Sequence, residues 1–157
     1  MTKTSAGSEK ICDMLLDSGS FDSFSMAELQ AMEVYFRVVT YAAGEVIFKE
    51  GDAGTFMCLI HSGEVAVSKE NSSRQDVQIA ILRRGRAIGE MAVIDGERRS
   101  ATCVAETACC LLILSKESLD KMLNDIPRSA AKVIRALAVS VSRRLRLAVG
   151  KLVDHAD

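Results

Sequence analysis

The stretch Arg86-Ala87-Ile88-Gly89-Glu90-Met91-Ala92-Val93-Ile94-Asp95-Gly96-Glu97-Arg98-Arg99-Ser100-Ala101-Thr102 breaks the rhythm of a chain that otherwise reads as short strands flanked by helices. Glu90 to Ile94 can form a single helical turn, and Gly89 before it is free to take any backbone angle. The first N–H groups of such a turn have no partner within it and carry the positive end of its dipole, so they suit an anion. Gly96 supplies a bend after which Arg99 and Ser100 can double back onto the same spot. A guanidinium, a hydroxyl and free amides gathered there would cradle one phosphate. Glu90 would be repelled by that phosphate unless it had a partner of its own. A sugar hydroxyl is a natural donor for it, and Arg99 offsets its charge. Taken singly, Glu90 and Arg99 read as surface charges, with Gly89 and Gly96 as turn residues. Their joint pattern is what points to a site.

Working outward, residues 37–41, 45–48, 56–61, 64–68 and 77–82 are short apolar or β-branched runs. They are separated by Ala42-Ala43-Gly44, Glu50-Gly51-Asp52-Ala53-Gly54, Ser62-Gly63 and a polar turn at 71–74. Residues 101–105 and 109–114 complete a set of roughly eight strands at intervals of about 8–12 residues, which points to a β-sandwich or barrel and not to a βαβ sheet. On the N-terminal side, Ile11, Met14 and Leu15 mark a short helix closed by Ser18-Gly19-Ser20, and the polar residues 1–10 read as frayed. Ser25 and Glu28 have capping-box spacing and open a second helix through Leu29, Met32 and Phe36. After the last strand, Ser115 or Lys116 begins a helix bearing Leu119, Met122 and Leu123. Pro127, the only proline, then sits in the first turn of a final helix over about 128–153. On that helix Ile134, Ala138, Val141, Leu145, Ala148 and Leu152 alternate spacings of four and three, a heptad seam that favours a homodimer. Val133, Ala136, Leu137 and Val139 lie on other faces, part of which is expected to pack on the barrel.

Composition removes several function classes. The 157 residues are 48% hydrophobic and 26% charged, enough for one domain with a sizeable core and no metal or disulfide staple. Twenty basic residues against 21 acidic ones give a formal charge of -1, which argues against a protein built to wrap a polyanion. Aromatics make up 4% and Trp is absent, so no base-stacking platform is expected. Cys12, Cys58, Cys103, Cys109 and Cys110 are odd in number, have neither metal nor disulfide spacing, and follow no cationic-then-apolar leader. They read as reduced thiols of a cytoplasmic protein. The longest apolar run, around 108–114, is too short to cross a bilayer, so no membrane partner is expected.

The motif Gly89-Glu90-Met91-Ala92, followed by Arg99-Ser100-Ala101-Thr102, strongly resembles the phosphate-binding cassette of the cyclic nucleotide-binding domain family. That family includes the bacterial catabolite activator protein and the regulatory subunits of cAMP-dependent protein kinase. Gly44-Glu45-Val46-Ile47-Phe48-Lys49-Glu50-Gly51-Asp52 and Ile60-His61-Ser62-Gly63-Glu64-Val65 are similar to its two glycine-marked turns, and the likeness runs over residues 21–147. The resemblance implies a mainly β fold: an eight-stranded β jelly-roll over 21–115, an N-terminal tail and short helix over 1–20, and C-terminal helices over 116–157. It implies that Gly89, Met91 and Ala92 offer backbone contacts, that Glu90 accepts from the ribose 2′-hydroxyl, and that Arg99 pairs with the cyclic phosphate. Ser100 and the Ala101 amide complete that cradle, and Thr102 follows as a ligand contact or a plain strand residue.

Departures from the family pattern refine these expectations. Arg98 stands where the kinase subunits usually carry a proline; Arg99 aligns as the phosphate ligand and Arg98 as a surface residue. Ser100 can serve cAMP or cGMP. Ala148 and Val149 replace the polar pair that the bacterial activator turns to the base. Arg144 either reaches the pocket from the last helix or belongs to a solvated Arg143-Arg144-Arg146 run. Val46, Met57, Leu59, Ile79 and Ile88 are candidate walls for a purine. The chain ends five residues beyond Leu152, so no helix-turn-helix domain and no direct DNA binding are expected. The function that results is a stand-alone, non-enzymatic receptor for a cyclic nucleotide, cAMP first, which signals through its last helix to a separate effector protein. Alternatives are a cGMP or cyclic-dinucleotide sensor, or a partner-binding module with a retuned pocket. Metal enzymes on jelly rolls need more imidazoles than His61 and His155. No catalytic residue, metal or cofactor is assigned.

Overall fold

A computed structural model describes residues 3–4 and 11–154. Among the described residues, nine strands lie in two antiparallel sheets. One sheet runs β1 (Lys3–Thr4), β2 (Phe36–Tyr41), β9 (Cys109–Ser115), β4 (Phe56–Ser62) and β7 (Ala87–Ile88); the other runs β3 (Val46–Phe48), β8 (Thr102–Ala105), β5 (Val65–Glu70) and β6 (Asp76–Leu82). Helices α1 (Ile11–Asp17), α2 (Met26–Met32), α4 (Lys116–Asp125) and α5 (Pro127–Asp154) flank this jelly roll, and α3 (Glu90–Asp95) is the single turn inside the cassette.

The central strands β4 and β9 are apolar over 56–60 and 109–114 because each of their faces meets a different core. Leu111, Ile113, Cys58 and Ile60 point between the sheets, into a cluster with Val39, Phe48, Val65 and Cys103. Their neighbours Leu112, Leu114, Met57 and Leu59 point the other way, into a cluster with Leu15, Phe21, Leu29, Met122 and Leu137 from the helices. The period-2 alternation of a strand therefore distributes one continuous hydrophobic run over two cores. Cys109 and Cys110 divide in the same manner, Cys109 between the sheets and Cys110 toward the helices.

Three elements depart from the sequence reading. Lys3 and Thr4, expected to fray, pair with Thr40 and Val39 at the edge of β2; the rest of residues 1–10, and His155, lie outside the described residues. The helix opened by Ser25 stops at Met32. Glu33–Tyr35 tighten into a 3-10 turn, and Phe36 goes extended opposite Leu114, since a buried ladder position outweighs one more helical turn. Ala87 and Ile88, read within the stretch that breaks the strand rhythm, form a two-residue strand against Leu59 and Cys58.

Helix starts follow local chemistry. Ser25 accepts from the Glu28 N–H at 3.1 Å while Glu28 accepts from the Ser25 N–H at 3.0 Å, the reciprocal capping box. Ser115 accepts from the Ser118 N–H at 2.9 Å. Pro127 occupies the first position of α5, where its missing N–H costs nothing. Ala130, Val133 and Leu137 of α5 are buried against the helix-side core. The heptad seam turns elsewhere: Ile134 packs at the core's edge, but Leu145 is 63% and Leu152 71% exposed.

Glu28 also ties α2 to α5, through an ion pair with Lys132 at 2.9 Å. The Ser25 N–H and then Lys132 hold its carboxyl at about 2, below the ordinary 4.5. A carboxyl lowered on folding stabilises the fold above its unfolded value and loses that contribution as pH falls through the folded one. Glu28→Gln is therefore expected to lower the urea midpoint at neutral pH. The gap to the wild type should close steadily as pH falls from 4.5 to 2, as urea titrations at a series of pH values would show; a gap constant over that range would remove Glu28 from the account.

Candidate functional site

Gly89 ends β7 at φ 75° and Gly96 closes α3 at φ 72°, both in the left-handed region where a side chain is strained. The Gly96 N–H donates to Ala92 O at 2.8 Å. The chain between the two glycines thus turns once and folds back, and it delivers Arg99 to the start of α3. A Cβ on Gly89 would run into Arg99 Nη1 and stand 3.2 Å from Phe56 O, so the close approach requires glycine. The backbone of Arg99 is fixed by two bonds to the turn at 51–52: its N–H donates to Asp52 O and its carbonyl accepts from the Gly51 N–H, both at 2.9 Å.

A cavity of about 350 Å³ opens beside this turn, within the range of small-ligand sites. Gly89, Glu90, Met91, Ala92, Arg99, Ser100, Ala101 and Arg144 all line it. Arg99 is only 4% exposed. Its guanidinium lies over the Phe48 ring at 3.9 Å from the centroid and over the Phe56 ring at 4.7 Å, and Nη1 reaches Gly89 O at 3.4 Å. Nε and Nη2 are buried without a hydrogen-bond partner. Burial pulls the guanidinium's pKa down, yet a guanidinium keeps its proton at any physiological pH. Cys58 and Cys103 give it no anion, because burial pushes the Cys103 thiol up to about 12 and the Cys58 thiol higher still. Two aromatic faces soften the desolvation of this cation, but they leave two of its donors open.

Glu90 is the complementary group. It is fully buried and faces Nη2 of Arg144, brought in by α5. Its Oε2 has no hydrogen-bond partner, nor has Arg144 Nε. Burial, and then the nearby Arg86, lower the Arg144 pKa. A buried carboxylate with an open oxygen and a buried guanidinium with open donors therefore share one cavity. That is the arrangement expected of a site that receives an anion and a hydroxyl together.

The remaining expectations fall unevenly. Arg98 is exposed and donates to Gly51 O at 2.9 Å. Thr102 does not line the cavity; its hydroxyl accepts from the Glu50 N–H at 2.9 Å and ties the neighbouring turn. Ile79 and Ile88 form the apolar wall, joined by Val67, Leu82 and Phe48. Val46, Met57 and Leu59 do not line it: Val46 is solvent-exposed, and Met57 and Leu59 face the helix-side core. The reason is strand parity, which sends Cys58 and not its neighbours between the sheets. Ala148 and Val149 are exposed and away from the cavity. Phe48 and Phe56 went unassigned in the sequence because nothing local links positions 48 and 56 to position 99. A larger groove of about 850 Å³, between the turn at 18–23 and α5, meets this cavity only through Arg144; among the described residues that line it, the one orphaned charged group is that same Arg144 Nε. Among the described residues, no three of His, Cys, Asp and Glu gather as metal ligands.

The chain belongs to the cyclic nucleotide-binding domain family, whose sequence model matches residues 38–125. It is 32% identical over 126 residues to a cyclic AMP receptor protein of Thermus thermophilus, covering 80% of this chain and 56% of that protein. It is also 32% identical over 105 residues to a cGMP-dependent protein kinase of Toxoplasma gondii, covering 67% of this chain and 10% of the kinase. The crystal structure of a cyclic nucleotide-binding domain from Methylobacillus flagellatus superposes with a TM-score of 0.89 at 28% identity, covering 98% of this chain and 89% of that one. The chain thus spans about half of the first of these relatives and a tenth of the second. Among the described residues no helix is long and apolar enough to cross a membrane.

Proposed function

We propose that this chain is a non-enzymatic receptor for a cyclic nucleotide, cAMP in the first place, and that it passes the binding event through α5 to a separate effector protein. The observation that carries the reading is the pair of buried, incompletely bonded charges, Arg99 and Glu90, on one cavity. The cyclic phosphate docks on the turn at 89–92 and on Nε and Nη2 of Arg99, with Ser100 and the Ala101 N–H closing the cradle. The ribose 2′-hydroxyl donates to Glu90, and the purine lies against Ile79, Leu82 and Ile88. Because Glu90 also faces Arg144, a ribose that engages Glu90 competes with α5 for the same carboxylate and biases the helix between two positions. Five free thiols suit a reducing compartment, and we place the protein in the cytoplasm.

cGMP is the second reading. The Ser100 hydroxyl is exposed at the cavity, and a cGMP-dependent kinase is among the relatives at 32% identity. Isothermal titration with cAMP, cGMP, 2′-deoxy-cAMP and cyclic di-GMP, on wild type and Arg99→Ala, separates these outcomes. cAMP is expected to bind most tightly, and 2′-deoxy-cAMP much more weakly for want of the donor to Glu90. Arg99→Ala should cost about 2–5 kcal/mol, since it strips a desolvated phosphate of its partner, and Arg99→Lys should also weaken binding because an ammonium lacks the guanidinium fork. Binding that survives Arg99→Ala within about threefold (roughly 0.7 kcal/mol) would overturn the assignment. Heat from cyclic di-GMP alone would displace the cAMP reading.

The exposed seam Leu145, Ala148 and Leu152 continues Ile134, Ala138 and Val141 along one line of α5. A helix end this long and apolar gains little stability alone, and we propose that a second copy covers it as a two-stranded coil. Light scattering is expected to give twice the monomer mass for the wild type and the monomer mass for Leu145→Glu; a monomeric wild type, with and without cAMP, would end the dimer.

A further inference from the structure

The peptide unit that presents the Ala101 N–H is aimed from outside the cavity. Among the described residues every peptide bond is trans, so the carbonyl of Ser100 and the N–H of Ala101 point in opposite directions across one planar unit. Lys69, on β5, donates from Nζ to Ser100 O at 2.7 Å. It does not line the cavity, and its side chain is 52% exposed, so it takes the carbonyl from the solvent side. No described carbonyl accepts from the Ala101 N–H, and Ala101 itself lines the cavity. The N–H therefore stands open on the side away from Lys69, in a residue that lines the same cavity as Arg99.

Lys69 is held in that role. Its Nζ is 3.2 Å from Glu50 Oε2, while Glu50 Oε1 accepts from the Glu70 N–H at 3.0 Å. The Glu50 N–H in turn donates to Thr102 Oγ1 at 2.9 Å. β5, the turn after β3 and the first residue of β8 thus close a ring around the Ser100–Ala101 peptide. An ammonium on a peptide oxygen also polarises that peptide and strengthens its N–H as a donor.

We propose that Lys69 is a positioning residue for the ligand: by holding the Ser100 carbonyl outward, it aims the Ala101 N–H at one exocyclic oxygen of the bound cyclic phosphate. The proposal rests on the cyclic-nucleotide reading above and adds a residue that touches neither ligand nor cavity.

The experiment compares wild type, Lys69→Met and Lys69→Arg by isothermal titration against cAMP and its two phosphorothioate diastereomers, each with sulfur in place of one exocyclic oxygen. Lys69→Met is expected to weaken cAMP about five- to tenfold, the worth of one well-made hydrogen bond, and Lys69→Arg to stay within about twofold of wild type. Sulfur is a poor acceptor. The diastereomer whose sulfur meets the Ala101 N–H should therefore lose most of its wild-type penalty in Lys69→Met, while the other keeps its own. A purely structural or long-range electrostatic role would weaken all three ligands by the same factor, and that result overturns the proposal, as does unchanged cAMP affinity in Lys69→Met. A wild type that binds none of the three instead brings down the cyclic-nucleotide reading, and the proposal with it.

Discussion

A guanidinium sealed inside a β-roll between two phenylalanine rings, with no acidic partner among the described residues, is the constraint around which this molecule is organised. Burying an unpaired charge is expensive, and cation–π contact recovers only about 0.5–2 kcal/mol. Nothing in the fold of Arg99 alone offsets the difference. The two neighbouring thiols stay neutral, and two donors of a residue that lines the cavity remain without a hydrogen-bond partner. A cation placed so is stable enough to persist, but it is poised for an anion. The backbone that fixes it, bonded at both N–H and carbonyl to the turn at 51–52, keeps the side chain from escaping to solvent.

The rest of the architecture serves that placement. Two sheets are needed to supply an apolar interior for the rings, and the two-faced strands β4 and β9 allow the same sheet to carry the helices on its outer side. That outer layer brings α5 to the cavity, where Arg144 meets Glu90. The site therefore has one charge of the roll, Arg99, that no acidic side chain among the described residues answers, and another, Glu90, that a helix answers. On the proposed reading, a ligand that reached both would change the second relationship and so be felt along a helix of 28 residues.

How much of this was legible in the sequence depended on whether the determinant was local. Gly89 and Gly96 announced the turn because only glycine takes those backbone angles cheaply, and both are in the left-handed region. Ser25 with Glu28, Ser115, and Pro127 marked helix starts through capping chemistry that acts within four residues. The long strands were readable from their apolar and β-branched runs and the turn residues between them. The purine wall was not: choosing among Val46, Met57, Leu59, Ile79 and Ile88 required the face each residue occupies, and one register step reverses it. The Phe48–Arg99 stack, the Thr102 tie to Glu50 and the Lys69 contact join residues 31 to 52 positions apart, and no spacing rule reaches that far. The edge strand at Lys3 and Thr4 was hidden for another reason: its pairing depends on the free edge of β2, not on its own two residues.

The most direct test of the central claim follows the Arg99 Nε–H itself by nitrogen-15 NMR during titration with cAMP, its cross-peak assigned by its loss in Arg99→Lys. A saturable downfield move of that peak, in step with shifts of the amides at 89–92, is the result predicted for a guanidinium that acquires a phosphate. If cAMP binds, as seen by shifts elsewhere, while the Arg99 peak stays where it was, the buried cation is not the ligand's partner and the account fails.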